Sequence, residues 1–404
     1  MNFFSSRIQR LSPSPTSGAA ARAKALRERG RDIVILTTGE PDFDTPEHIV
    51  EAAYAAMKAG QTRYTATDGM PDLKQAVCDK FKRDNMLDIS PANITVGTGA
   101  KQIIFNVFSV TVEAGDEAVV PAPYWVSYPH IVEYCGGRPV VVQCAPENRF
   151  KLTPEQLERA ITRRTKWLVL NSPCNPSGAV YTSEELRSLG EVLRRHPQVW
   201  VLSDDIYEHL RYTGQPYATL AQVNPDLAAR TVTLNGVSKA YAMTGWRIGY
   251  AAAPAELVKK LSVLQSQSTS SPSAPGQAGA LAALTGSQDF MQAWNRQYRE
   301  RRDCVVAAVN AIAGLRCDTP DGAFYAYVRC DGLIGGRDRS GRTIADDRDL
   351  SDYLLDQAGV AVVPGIAFGT SPAFRMSFAT SRALLATACE RMQQACERLD
   401  LPAA

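Results

Sequence analysis

The chain has 404 residues, 45% of them hydrophobic, and its 44 basic and 42 acidic side chains leave a formal charge of +2. A chain this long buries a large core and exceeds the usual single-domain range, so disordered and fibrous classes are excluded and two closely packed domains are expected. The charges are interleaved, no apolar run is long enough to cross a bilayer and Met1 opens no apolar export signal, which points to a cytoplasmic protein with small-molecule partners, no nucleic acid and no membrane.

Taken in order, the Ser/Pro stretch 11–18 reads as an extended arm, followed by a helix over 19–29 and a short strand over 32–36. From residue 93 onward short apolar strands (94–96, 117–120, 139–143, 167–170, 200–202, 231–234 and 247–252) alternate with amphipathic helices, one of them over 102–112. That alternation predicts an α/β fold around a mostly parallel sheet buried on both faces, with chemistry just beyond the carboxyl ends of the strands. Residues 266–276 read as a connection and 288–312 as a long helix that opens a second domain. Its remainder, a strand over 324–328, a Gly/Asp/Arg-rich loop over 332–347, a strand over 360–363 and a helix over 382–399, reads as an α+β layer. No internal repeat is evident.

The nine cysteines are irregularly spaced and odd in number, which suits reduced thiols better than disulfides. The four histidines, His48, His130, His196 and His209, fall in no ligand-spaced cluster, so no metal is expected. Neither GxGxxG nor GxxxxGK[ST] occurs, against a plain nucleotide-binding protein.

The stretch with most chemical content is Asn235-Gly-Val-Ser238-Lys239-Ala-Tyr-Ala-Met-Thr-Gly-Trp-Arg247-Ile-Gly-Tyr250, a strand, a polar loop and another strand. A lysine in such a loop is ordinarily a solvated surface residue, and the low-charge, Gly/Trp-rich setting with Arg247 eight residues on sets this one apart. Upstream, Gly97-Thr98-Gly99-Ala100-Lys101 joins a strand to a helix whose free N–H groups suit an anion, although an ordinary βα turn reads the same way. Asp204 and Asp205 follow a strand and are equal local candidates for a buried acid or a turn residue. Trp125 follows a Pro-rich turn, as a core aromatic would, and Arg375 lies in a short strand, as a salt-bridged arginine would.

These blocks together resemble the class I, or fold-type I, aminotransferases, and most closely the prokaryotic aspartate aminotransferase subgroup. Gly39-Glu-Pro-Asp-Phe-Asp-Thr-Pro46, Tyr64, Pro121-Ala-Pro-Tyr-Trp125-Val-Ser-Tyr, Asn171-Ser-Pro-Cys-Asn175-Pro-Ser-Gly178, Ser203-Asp204-Asp-Ile-Tyr207 and Ala373-Phe-Arg375 all follow the family order. The resemblance implies pyridoxal 5′-phosphate as cofactor, with Lys239 as its Schiff-base lysine and proton shuttle. It implies Asp204, in preference to Asp205, at the pyridine nitrogen, Tyr207 and Asn175 at the ring 3′-oxygen and Trp125 stacked on the ring. Gly99, Ala100, Ser238 and Arg247 would hold the phosphate, with Tyr64 reaching it from the partner of a homodimer that shares its two sites. Arg375, Asn175 and Gly39 would receive the substrate α-carboxylate, and Trp125 would also border the substrate. Lys101, which borders the cofactor, would with Ser14 and Thr16 of the arm read a second carboxylate.

The implied reaction is amino transfer from L-aspartate to 2-oxoglutarate by a ping-pong route, with prephenate or aromatic amino acids as the nearest alternative substrates. A lyase on the same scaffold would use the same Lys239 and Asp204, and a cofactor-sensing regulator would need a DNA-binding domain that is not visible. The family commonly reads Asn-Asn-Pro-Thr-Gly where this chain has Cys174-Asn-Pro-Ser177-Gly, a departure that bears on substrate scope. The implied organisation is an arm and part of the small domain over 1–45, a large cofactor-binding domain over 46–287, and a small C-terminal domain over 288–404.

Overall fold

A computed structural model describes residues 3–11, 13 and 15–401. Its centre is a seven-stranded sheet in the spatial order Ile94–Gly97, Gly249–Ala252, Thr231–Gly236, Trp200–Asp204, Thr165–Asn171, Glu117–Ala122, Arg138–Gln143. Gly249–Ala252 is antiparallel to both its neighbours, and the other six strands run one way. Alternate side chains of each strand feed opposite cores. Val120, Trp167, Val169 and Leu202 pack with Ile104, Phe108 and Val258 of helices Ala100–Thr111 and Ala255–Ser266, while Val119, Leu168, Leu170 and Val201 pack with Leu186, Leu189 and Val192 of helix Ser183–Arg195. Burial on both faces is why these strands appear in the sequence as continuous apolar runs.

A second, four-stranded antiparallel sheet is built from Val363–Pro364, Ala373–Ser377, Tyr325–Arg329 and Arg316–Cys317, covered by the long helix Asp289–Asn310 and by Arg382–Cys396. Val34–Ile35 pairs in parallel with Val360–Ala361, so an early segment of the chain is tied to a late one. The fold is therefore the expected α/β architecture, a mostly parallel mixed sheet flanked by helices, with a smaller α+β layer that draws on both ends of the chain.

Several boundaries differ from expectation. The arm is not extended to residue 18, because helix Pro15–Glu28 begins inside it; proline is compatible with a first helical turn, where its missing N–H has no partner to lose. Ser14 lies outside the described residues. The connection is shorter than 266–276, since one helix runs to Ser266 and the next begins at Ala274, where the Ser273 hydroxyl caps the Gly276 N–H. Arg247 precedes its strand and sits in the left-handed region at φ +58°, which turns the loop before Gly249. The last helix ends at Cys396.

All nine cysteines are unpaired, most of them buried, with Cys304 exposed. Among the described residues no helix is long and apolar enough to cross a membrane.

Candidate active site

The carboxyl ends of the parallel strands open into a cavity of about 520 Å³ between the two sheets. Its wall gathers Gly39, Ala100, Lys101, Trp125, Asn175, Asp204, Tyr207, Ser238, Lys239, Arg247 and Arg375, with Thr16 of the first long helix at one edge. The large-sheet members converge because each parallel strand delivers its end and following loop to the same edge of the sheet, while Arg375 comes from a strand of the second sheet and Thr16 from helix Pro15–Glu28.

Lys239 lies three residues past strand Thr231–Gly236 and donates from Nζ to the Gly39 carbonyl at 2.6 Å. Burial, together with the cations Arg375 and Arg247, outweighs the attraction of Glu40 and Asp204 and lowers its ammonium to about 8. A neutral, nucleophilic amine is thus accessible near physiological pH.

Asp204 ends its strand and is 4% exposed. Its Oδ2 accepts from the Tyr128 hydroxyl at 2.6 Å and its Oδ1 from the Ile206 N–H at 3.2 Å. Burial raises its carboxyl to about 6, against the lowering effect of those two donors and of Lys239. Asp205 is equally buried but faces away, accepting from the Ser203 hydroxyl at 2.8 Å and bordering no part of the cavity. The alternation of the chain at the strand end separates the two aspartates.

Arg375 is 3% exposed. Its Nη1 donates to Asn175 Oδ1 at 2.9 Å, its Nη2 to the Thr37 carbonyl at 2.6 Å, and its Nε is unsatisfied. Among the described residues no carboxylate pairs with it. A buried guanidinium held only by neutral acceptors keeps its charge for a ligand, and a carboxylate suits its planar fork.

Gly99 adopts φ +83° at the start of helix Ala100–Thr111, and a Cβ there would collide with Arg247 Nη2. A Cβ on Gly249 would likewise strike the Ala100 N–H. The two glycines therefore let Arg247 and the strand at Gly249 close on the helix N-terminus, and with Ser238 on the same cavity wall they make a set of donors that suits an anion. Lys101 stands with Nζ 4.8 Å from the Trp125 ring centroid, and desolvation and the Arg247 charge lower its ammonium.

Tyr64 is the exception. Its side chain is 92% exposed and borders no part of this cavity within one chain. Residues that the sequence reading did not single out also line the wall, above all Tyr128, Tyr325, Asn171, Thr38 and Glu40. Tyr128 follows Trp125 at a helical i, i+3 spacing, a signal within a block already quoted, whereas the part played by Tyr325 depends on tertiary packing. Elsewhere, Asp84, Glu208 and His209 cluster within 4.8 Å of one another, but the Lys80 ammonium pairs with Glu208 and bonds Asn85 Oδ1 at 2.7 Å, so the cation of this group is a lysine.

A family profile described as aminotransferase class I and II matches residues 31–392. The chain is 52% identical over 399 residues to the aspartate/prephenate aminotransferase of Cereibacter sphaeroides, covering 99% of this chain and all of that one. Its backbone is similar to the crystal structure of the aspartate aminotransferase from Rhizobium meliloti, with a TM-score of 0.96 and 52% identity over 99% of this chain and 100% of that one. It is also similar to the aspartate aminotransferase from Thermus thermophilus with maleate, with a TM-score of 0.90 and 42% identity over 98% of this chain and 100% of that one.

Proposed function

This chain belongs to the class I and II aminotransferases, and we propose that it moves the amino group of L-aspartate to 2-oxoglutarate in two half-reactions at the cavity around Lys239. The family is pyridoxal 5′-phosphate-dependent, and the donor set fits that group. The glycine-lined cradle at Ala100, Ser238 and Arg247 suits a phosphate dianion, and buried Asp204 suits a protonated ring nitrogen. When bound, the cofactor supplies an electron sink for the pair left by the broken Cα–H bond and a carbon that carries nitrogen between the two half-reactions.

The remaining work falls to side chains. Lys239 anchors the cofactor and, once released, takes the Cα proton on Nζ, a role suited to an amine lowered to about 8. Asp204 holds a proton at the ring nitrogen, steadied by Tyr128. Tyr207 and Asn175 serve the ring oxygen, and Trp125 covers the ring. Arg375, helped by Asn175 and Gly39, binds the α-carboxylate, while Lys101 and Thr16 on the wall of the same cavity meet the distal carboxylate. The observation that carries the reading is the pairing in one cavity of a partly buried lysine with a buried arginine that has no acid partner among the described residues.

We further propose a homodimer in which Tyr64 of each protomer completes the other's phosphate site. The isolation of Tyr64 from its own cavity supports it, as does the apolar exposure of Val50, Tyr54 and Met57 around a second hollow. The division at residues 45/46 and 287/288 into arm, large and small domains belongs to the same proposal. Prephenate is the second substrate reading, favoured by the name of the Cereibacter sphaeroides relative.

The test is oxaloacetate formation from L-aspartate and 2-oxoglutarate by the cofactor-loaded enzyme, with double-reciprocal plots at several acceptor concentrations. Parallel lines support the two-step exchange, and repeated turnover to pyruvate or ammonia without any acceptor would point to a lyase instead.

A further inference from the structure

We propose that Tyr325 is a positioning residue that joins the two halves of this cavity, fixing the donating direction of the Tyr207 hydroxyl and carrying the Arg375 guanidinium on its ring. The proposal rests on the cofactor and carboxylate roles proposed above.

Tyr325 opens the strand Tyr325–Arg329 and is wholly buried. It stands opposite Ser377 on the antiparallel neighbour, which makes Arg375 its diagonal partner on the same face, within reach of an aromatic ring. The guanidinium carbon lies 4.4 Å from the ring centroid. A π face is an apt support for this cation, because it stabilises the positive charge without neutralising it, whereas an acid at this position would compete with the substrate carboxylate.

The hydroxyl end faces the other way. Tyr325 Oη lies 2.8 Å from Tyr207 Oη, and a Cβ on Gly39 would approach Tyr325 Oη to 2.8 Å. Glycine at position 39 therefore leaves room for the phenol, and its carbonyl accepts from Lys239. Two phenols that share one hydrogen bond have one proton to place between them. With Tyr325 as the donor, the Tyr207 proton is left for an oxygen acceptor in the cavity, and the accepted bond makes Tyr207 a stronger donor in turn. With Tyr207 as the donor, only a lone pair would face the cavity.

The two functions separate by substitution. Tyr325→Phe keeps the ring and removes the hydroxyl, and Tyr325→Leu removes both. In the cofactor-loaded enzyme without substrate, the pH midpoint of the cofactor's visible band should rise by roughly 0.3 unit in Tyr325→Phe, because a weaker Tyr207 donor stabilises the unprotonated form less. Binding of the amine-free dicarboxylate maleate should stay within about twofold of wild type in Tyr325→Phe and weaken about tenfold in Tyr325→Leu. Should Tyr325→Leu not fold, Tyr325→Met supplies the ring-free arm.

An unmoved midpoint in Tyr325→Phe overturns the hydrogen-bond relay, and equal weakening of maleate by Phe and by the ring-free variant overturns the ring support. Failure of the wild-type enzyme to show a cofactor band that responds to L-aspartate would strike the functional reading itself, so the two failures are distinguishable.

Discussion

Tyr128 donates its phenolic hydrogen to Asp204 Oδ2 across 2.6 Å, and both residues are almost completely buried. Burial alone drives the Asp204 carboxyl upward, and this bond is the largest influence holding it down near 6. Tyr128→Phe should therefore raise the Asp204 carboxyl further and weaken its support of a protonated ring nitrogen. Loss of one charged hydrogen bond, about 1.5–3 kcal/mol, predicts a fall in kcat of roughly tenfold or more with little change in KM. The acid limb of the kcat profile should move to higher pH, and an unmoved limb would contradict the assignment.

Arg375 is the group for which substitution should act on substrate alone. Arg375→Lys keeps the charge but loses the planar fork between Asn175 and Thr37. The expected outcome is a kcat/KM for L-aspartate lower by about 100-fold, near 3 kcal/mol, with the cofactor band intact. Steady-state kinetics beside an absorbance spectrum checks both halves of this statement.

The Lys239 ammonium, lowered to about 8 mainly by burial, sets the pH dependence of cofactor loading. The neutral amine is the nucleophile, so the loading rate of the cofactor-free protein should climb with pH and level off above about 8 rather than near the ordinary lysine value of about 10.4. Rapid-mixing absorbance over a pH series measures it. Because the folded-state value is depressed, this group's contribution to the stability of the cofactor-free protein is fully present above the ordinary lysine value and is lost as pH falls through about 8.

Lys80 and Glu208 form a buried ion pair directly after Tyr207, with Asn85 Nδ2 completing Glu208 at 2.7 Å. Burial pushes the Glu208 carboxyl up, but the charges of Lys80 and His209 win and hold it well below the usual carboxylate range. Its stabilising contribution is therefore present above that range and is lost as pH falls toward the depressed value. Lys80→Met, which strands a buried carboxylate, should cost about 3–5 kcal/mol in denaturant unfolding, and adding Glu208→Gln should restore most of it.

Dimer sharing makes a quantitative prediction. A hybrid of Tyr64→Ala and Lys239→Ala protomers has one site with both defects and one with neither. Random mixing should recover about a quarter of wild-type activity per protomer, half the dimers being hybrids with half their sites native. No recovery on mixing would mean that Tyr64 does not serve a neighbouring site.

Much of this was legible in the sequence, for identifiable reasons. The strands were readable because double-sided burial makes them uninterrupted apolar runs, and the loops after them carried the Lys239, Asp204 and Asn175 blocks. Local pattern left Asp204 and Asp205 equal and the family resemblance chose Asp204; the strand-end geometry gives the physical reason, because adjacent residues take opposite faces and Asp204 lines the cavity. The helix at Pro15 was obscured because proline and serine signal equally a loop and a first turn. Tyr325 and its bond to Tyr207 join positions 118 residues apart, a contact that no local pattern encodes. The lysine within the Asp84, Glu208 and His209 group is tertiary in the same way.

The central claim is an amino-group exchange anchored on Lys239, and the absorbance spectrum of the cofactor-loaded protein tests it most directly. L-Aspartate should convert the visible band to the aminated form, 2-oxoglutarate should restore it, and Lys239→Ala should be unable to cycle. A protein that binds no cofactor, or a Lys239→Ala variant that cycles like wild type, would contradict the account.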